Sequence, residues 1–260
     1  MDQKQQADAL NAALSEKVPE IKEAPTTTVE LLRGVFNTET NSWETEAKVR
    51  ELNGFDEESL ASMDSRNVVY AEYMTFLLKR AVVSVGSITV ADNPSVIENL
   101  IIGDRDILFL KIIEATYGNN REYQIQCMSC QASNDVIITM DTFKNRETTH
   151  DPKLPLEYTF GDGTVVKMRL PNGIDSQIVA KKSKTVAEQN TLMLARCVEH
   201  PAMHNPVEWA KGLGLKDRSA LVKVLLDNQP GPEIGEVNAQ CATCGEDLHI
   251  VLDWASLLFG

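Results

Sequence analysis

The strongest constraint in the chain is a repeated cysteine pattern. Four of its five cysteines form two Cys-x-x-Cys pairs, Cys127/Cys130 and Cys241/Cys244. Two intervening residues let both sulfurs of a pair face one ion from a tight turn. Two such pairs supply the four thiolates of a closed tetrahedral zinc site. The pairs lie about 110 residues apart, far beyond ordinary zinc-ribbon spacing. Their flanks repeat as well. Tyr123-Gln-Ile-Gln-Cys127 and Val237-Asn-Ala-Gln-Cys241 both read as a strand entering a turn. Asp135-Val-Ile-Ile-Thr-Met140 and Asp247-Leu-His-Ile-Val-Leu252 both read as alternating strands that lead to an aspartate, Asp141 or Asp253. The two segments therefore read as halves of one split ribbon, with a structural Zn2+ on Cys127, Cys130, Cys241 and Cys244. Four protein ligands leave no coordination position for water or substrate. Separate redox pairs, an iron–sulfur cluster and a ribbon that folds without metal stay open at this level.

Charge and hydropathy narrow the function classes. The apolar fraction of 43% suffices for a sizeable core. The net charge is −13, and the densest basic stretch is only Lys181-Lys182-Ser183-Lys184. Neutralising phosphates supplies most of a nucleic-acid binder's affinity, so direct nucleic-acid binding is not expected. No apolar run approaches the ~18 residues of a membrane span. The polar start, Met1-Asp2-Gln3-Lys4, has no signal-peptide core. A reducing cytoplasm is the expected setting, where paired cysteines serve as metal ligands rather than disulfides. Cys197 is left over and follows an apolar helix face, as a small buried residue would.

The pattern of elements predicts an α+β fold. Residues 1–42 read as an extended N-terminal arm, with a short helix over Asp2–Leu14 and a linker from Pro19 to Pro25. Residues 43–118 read as mainly helical: a helix over Thr45–Leu52 closed by Gly54, a turn opened by Phe55-Asp56-Glu57-Glu58, and a helix over Val68–Ala81. A strand over Val82–Val85 follows. The core helix after it is capped by Asp104 and stopped by Gly118. Residues 119–142 and 234–260 form the two halves of the zinc-ribbon-like module. Between them, residues 143–233 read as an inserted β-hairpin and helical segment. The hairpin joins Leu156–Phe160 to Thr164–Leu170 through Gly161-Asp162-Gly163. Helices run from Asp175 to about Val198 and divide near Lys184, where Thr185-x-x-Glu188 has capping-box form. Helical stretches Pro206–Lys211 and Lys216–Leu226 complete the insert.

No catalytic constellation stands out. His200 and His204 are four apart, but Pro201 interrupts the helix they would need. His249 alternates with Leu248 and Ile250 and points to solvent. Asp104-Arg105-Asp106 reads as a helix cap with a salt-bridged arginine. Gly161-Asp162-Gly163 lacks the spacing of a phosphate loop or a calcium loop. A redox Cys-x-x-Cys usually opens a helix, whose N-terminus lowers a thiol pKa; here each pair precedes a strand. The chain is therefore expected to be no enzyme, with a zinc or thiol-redox enzyme as the alternative from another class.

Five features in order carry a resemblance. They are Val49-Arg-Glu-Leu-Asn-Gly-Phe-Asp-Glu-Glu58, Ile102-Gly-Asp-Arg-Asp-Ile-Leu-Phe-Leu-Lys-Ile112, the first Cys-x-x-Cys with its alternating strand, Val166-Lys-Met-Arg-Leu-Pro-Asn-Gly-Ile-Asp175, and the late second Cys-x-x-Cys. Over about residues 43 to 260 the chain resembles the T4-type bacteriophage baseplate (hub) protein family of contractile-tailed phages and related phage-like injection particles. The resemblance implies a structural component of the tail baseplate or its hub, assembled in the host cytoplasm in several copies. Its partners would be other phage tail and baseplate proteins. A transient hub assembly chaperone, not retained in the virion, is the alternative in the same setting. The extended arm, the acidic turn Asp56-Glu57-Glu58 and the outer face of the ribbon are the expected contact surfaces.

Overall fold

The computed structural model describes residues 25–63, 69–200 and 204–259. The helix expected over Asp2–Leu14 lies outside these residues. The fold is α+β and runs twice through one series of elements. The first pass begins with the antiparallel hairpin β1 (Thr26–Asn37) and β2 (Ser42–Arg50). Helices α1 (Gly54–Ala61) and α2 (Tyr70–Ala81) follow. Strand β3 (Val82–Val85) then pairs with β2, and the short β4 (Ile88–Thr89) pairs with β3. Next come α3 (Ser95–Asn99), α4 (Ile102–Tyr117) and a second hairpin, β5 (Asn120–Gln126) and β6 (Ser133–Thr139), with the first cysteine pair at its tip.

The second pass repeats this order. Hairpin β7 (Leu156–Thr159) and β8 (Val165–Met168) leads to α5 (Gly173–Lys182) and α6 (Val186–Cys197). Strand β9 (Val198–Glu199) pairs with β8. Helices α7 (Pro206–Gly212) and α8 (Leu215–Asp227) follow. The hairpin of β10 (Glu236–Gln240) and β11 (Asp247–Val251) carries the second cysteine pair, and α9 (Trp254–Phe259) comes last.

The two passes share individual bonds. Asn53 caps α1 and Asn172 caps α5, each in a capping box whose third helical residue is an aspartate, Asp56 or Asp175. Two N–H groups of an arginine six residues upstream grip that aspartate. Arg50 Nη1 lies 2.6 Å and Nη2 3.1 Å from the two Asp56 oxygens; Arg169 Nη1 and Nη2 lie 2.6 and 3.0 Å from those of Asp175. A second arginine at the end of the next helix donates through Nε, Arg80 to Asp56 at 2.8 Å and Arg196 to Asp175 at 2.6 Å. The carboxylates are fully buried. Burial opposes their ionisation, but the arginines and the cap N–H groups hold both below the usual carboxylate range. A buried carboxylate with several charge-assisted bonds fixes where the strand ends and how the two helices sit on it. Arg105 and Arg218 match in the same way. Arg105 donates to the Ile97 carbonyl at 2.8 Å and to Thr75 Oγ1 at 2.7 Å. Arg218 donates to the Ala210 carbonyl at 2.9 Å and to Thr191 Oγ1 at 2.8 Å.

Several expectations for the first 118 residues are corrected. Thr45–Leu52 is not a helix, because Ala47 and Val49 are buried while Glu46 and Lys48 are exposed, the period-two signature of strand β2. Gly54 opens a helix rather than closing one. Residues 26–37, read as part of an arm, form β1 and pair with β2. Residues 43–118, read as mainly helical, also hold β2, β3 and β4. Asp56, expected on a contact surface, is buried. Asp104 does not cap α4; it is buried in the first turn and accepts the N–H groups of Leu32 at 2.7 Å, Arg33 at 3.2 Å and Gly34 at 2.8 Å. Those amides are free because β1 slips register between Glu30 and Val35. Gly34, with φ of 69°, lets this stretch approach β2: a Cβ there would lie 2.0 Å from the Glu44 carbonyl oxygen.

Each pass has its own apolar cluster. The first is built on Leu77, Leu78, Leu108, Phe109, Ile112 and Ile113. The second centres on Leu156, Val166, Met168, Leu194, Leu221 and Leu225. The passes join where the Ile102 N–H donates to the Pro171 carbonyl and the Gly173 N–H to the Leu100 carbonyl. Gln177 of α5 also donates to Thr75 of α2 at 2.6 Å. Ile250, Leu252, Leu257 and Leu258 from the end of the second pass are buried in the first cluster. The chain thus closes back onto its first half.

Candidate metal centre

The two cysteine turns are conformational copies. In the first, the Cys127 N–H donates to the Ala132 carbonyl and the Gln131 N–H to the Cys127 carbonyl, both at 2.9 Å. In the second, the Cys241 N–H donates to the Glu246 carbonyl at 2.8 Å and the Gly245 N–H to the Cys241 carbonyl at 2.9 Å. The fourth residue after the first cysteine has positive φ in both, 61° at Gln131 and 74° at Gly245. A glycine relieves that conformation in the second turn. In the first, a glutamine holds it, with its side chain donating to the Met128 carbonyl at 3.1 Å.

The turns converge. All four sulfurs lie within 4.8 Å of one another. The Cys127 and Cys244 sulfurs are 3.7 Å apart, as are those of Cys130 and Cys241, so both contacts cross from one turn to the other. A disulfide requires about 2.05 Å. Four thiolates at about 2.3 Å from one tetrahedral ion sit about 3.8 Å from each other. The donor set therefore fits a single ion, and it is too tight to enclose a cluster of several irons and sulfides. Cys127 and Cys241 are buried against Leu248, while Cys130 and Cys244 are exposed. Backbone N–H groups of Cys244 and Thr243 hold the Cys241 thiol down at about 6. Cys244, drawn down by the Glu246 N–H but raised by the sulfurs of Cys130, Cys241 and Cys127, is pushed up to about 12, so one thiolate forms at the expense of its neighbour.

One residue that the sequence pattern did not single out fastens the two turns. Asn134 is buried on β6; its side-chain oxygen accepts the Ala242 N–H at 2.9 Å, and its Nδ2 donates to the Ala132 carbonyl at 3.0 Å. An asparagine on the buried face of an alternating strand is the signal that would have marked it. Each pair is followed by a strand, β6 or β11, and not by a helix.

The remaining candidates do not join this site. Cys197 is buried against Asp175 and Met193, and burial first, then Asp175, pushes its thiol up to about 12. His200 packs its ring between Phe160 and Trp209. His249 is exposed and bonds Glu236. Asp162 closes the hairpin turn by accepting the Thr164 N–H at 2.8 Å. Among the described residues the four cysteines are the one group of three or more His, Cys, Asp or Glu side chains able to hold a metal ion. A groove of about 900 Å³ between α1, α2, α4 and α9 is walled mainly by Leu, Met and aromatic side chains, with Glu57 its one carboxylate. No described helix is long and apolar enough to cross a membrane.

No curated protein and no solved structure matches the chain. The family model described as T4 bacteriophage base plate protein matches residues 35–259. That span takes in both passes of the fold and all four clustered cysteines, and the chain belongs to the T4 bacteriophage base plate protein family.

Proposed function

We propose that the chain is a structural subunit of a contractile phage tail baseplate, at or near its hub, that binds neighbouring tail proteins and carries one structural zinc on Cys127, Cys130, Cys241 and Cys244. The observation that carries the structural reading is the convergence of four thiols from turns more than 100 residues apart, at the spacing of one tetrahedral ion. Bound zinc supplies cross-linking and no open coordination position. The chain's own residues do the rest: the amides around Cys241 favour its thiolate, Asn134 aligns the two turns, and Leu248 excludes water from the inner pair. Since such a site does not exist in the unfolded chain, metal affinity contributes directly to folding. Family membership supports the setting in the virion tail and partners among tail proteins.

Two measurements test this. Zinc released from the purified chain should equal one ion per chain, and Cys127, Cys130, Cys241 and Cys244 should resist alkylation in the folded, metal-loaded chain and react once a chelator removes the metal. Two reversible disulfides and no zinc would establish the redox alternative instead. Quantitative mass spectrometry of purified tails should find the chain in fixed ratio to other baseplate proteins. Its absence from finished particles, with accumulation during assembly, would identify a transient hub chaperone.

A further inference from the structure

The groove of about 900 Å³ between α1, α2, α4 and α9 has no part in the metal centre. Leu60, Met74, Leu77, Phe109 and Trp254 line it, and Tyr70 and Tyr117 on its walls are 49% and 45% exposed. The Trp254 ring meets Phe109 edge-on at 4.5 Å and stacks on Tyr70 at 6.2 Å, so α9 forms one wall and leaves the hollow open. Scattered apolar residues need no explanation, whereas half-exposed aromatics around one apolar hollow mark a contact site. Another wall is the stretch between β2 and α1, through Leu52 and Asn53. The Leu52 N–H donates to Thr116 Oγ1 at 3.0 Å, which ties this wall to the end of α4.

The register of the first hairpin brings the start of β1 to that wall. Thr26 is paired with Arg50, and paired residues of an antiparallel ladder have Cα atoms about 5 Å apart. Leu52 is two residues beyond Arg50, at most about 7 Å further on. Because β1 runs antiparallel to β2, the chain before Thr26 leaves the hairpin on the side where β2 leads to Leu52. Residues 1–24, outside the described residues, carry Ala7, Leu10, Leu14 and Val18 at intervals of three and four. That spacing puts all four on one stripe of a helix, with Asp8 and Glu16 on the other side. Pro19 would stop such a helix. The seven residues Pro19–Pro25 then reach at most about 25 Å, enough to return from Thr26 to the groove. The connection between Met63 and Tyr70 is a poorer candidate to fill it: residues 64–68 read Asp-Ser-Arg-Asn-Val and offer a single apolar side chain.

We propose that this groove is the docking site of residues 7–18 of the same chain, which enter it as an amphipathic helix with Leu10, Leu14 and Val18 against its apolar walls. The open hollow and the position of Thr26 carry the proposal, which depends neither on the baseplate reading nor on the metal. The tether favours this occupant over one from solution. A short flexible tether sets an effective concentration in the millimolar range, so an intrinsic dissociation constant near ~100 μM keeps the groove filled about nine-tenths of the time. A separate partner present at about 10 μM would have to bind about a hundredfold more tightly for the same occupancy.

The test uses the full chain with Ala13→benzoylphenylalanine, a photo-reactive residue beside the anchors, in an equal mixture of isotopically heavy and light copies. Cross-links should map to Met63, Tyr70, Met74 or Tyr117, and should join heavy to heavy and light to light. Hydrogen exchange gives a second readout. Amides of residues 7–18 should exchange about tenfold more slowly in the native chain than in the Leu10→Asp/Leu14→Asp chain, as nine-tenths occupancy requires. The double substitution should also weaken the groove cross-links at least about tenfold. Neither leucine belongs to a described element, so circular dichroism and the melting temperature should show the rest of that chain folded. Equal exchange in the two chains, or cross-links that map outside the groove, overturns the proposal. Cross-links from heavy to light copies would make the occupant the segment of a second copy, and overturn the assignment to the same chain. Both readouts are taken on the purified chain, whether or not it is found in tails, so failure of the baseplate reading and failure of this proposal are told apart.

Discussion

In the first half Asp104 is sealed by three amides of β1, whereas its counterpart Asp217 accepts the Tyr158 hydroxyl of β7 at 3.2 Å. The same contrast recurs at larger scale. Strand β1 has 12 residues and β7 has four; α4 has 16 and α8 has 13. The first half takes in the end of the second, through Leu252, Leu257 and Leu258, and gives back Ile101, which is buried in the second cluster. What the halves keep in common is polar: the Arg–Asp–Arg clamps, the Arg–Thr bonds and the cysteine turns. What differs is the apolar cover. Directional bonds between buried charged groups tolerate little change of geometry, while apolar surfaces exchange more freely if volume is kept. The shared bonds thus set the unit, and the unshared cover, α9 packed on the first half, distinguishes the two.

The largest effect is expected where the halves meet in one site. Cys127→Ser and Cys241→Ser remove one buried ligand from each turn, and a shared ion makes the two variants equivalent. Both should lose the zinc and with it a large part of a metal contribution on the order of 10 kcal/mol. Limited proteolysis should then cut both hairpins in both variants, including β10–β11 when the substitution is in β5–β6. One retained zinc in either variant, or cleavage confined to the substituted hairpin, would show that the turns bind separately.

Asp56→Asn and Asp175→Asn compare the clamps. Each leaves two arginines without their buried partner, at a cost of ~2–4 kcal/mol, reduced from a fully buried pair because the arginines reach water. The Asp56 variant should be the more costly, since Arg50 is 21% exposed and Arg169 40%. The pH dependence has a definite sign. Both carboxyls are held below their ordinary range when folded. The stability they contribute is complete above the unfolded value of about 3.9 and is lost as pH falls through the lower folded values. Denaturant titrations between pH 3 and 7, in steps of about half a unit around that value, should show each variant with a shallower acid slope than the native chain. An unchanged slope would mean that the clamp carboxylate does not titrate with folding.

The cysteine turns were legible in the sequence because their chemistry is local: a fixed spacing and a run of strand residues on each side. Helix limits at Gly118 and Thr185 were legible for the same reason, since caps act within one turn. Strand β2 was not. Only Ala47 and Val49 mark its inner face, and Trp-Glu-Thr-Glu-Ala suits a helix equally well until β1 supplies a partner. The clamps were present as Arg50-Glu-Leu-Asn-Gly-Phe-Asp56 and Arg169-Leu-Pro-Asn-Gly-Ile-Asp175. Each aspartate looks like an ordinary first-turn acid until a second arginine, 24 or 21 residues on, returns to it. Asn134 was hidden by the same non-locality, as its partner Ala242 is 108 residues away.

The smallest effect concerns a position where the halves differ by one charge. Asp106 lies one residue beyond Arg105, and the residue beyond Arg218 is Ser219. Burial pushes the Asp106 carboxyl up to about 7, against the pull of Arg105. A carboxyl raised on folding binds its proton more tightly in the native state. It therefore lowers stability progressively as pH rises from the unfolded value of about 3.9 to its folded one. The side chain is still partly reached by water, so the penalty at pH 8 is on the order of 1 kcal/mol, well short of what a water-free interior would impose. Asp106→Ser writes the second half's residue into the first. It should raise the melting temperature at pH 8 by a few degrees, and that gain should shrink as pH falls toward the unfolded carboxyl value. A gain independent of pH would assign the effect to packing rather than to the protonation of Asp106.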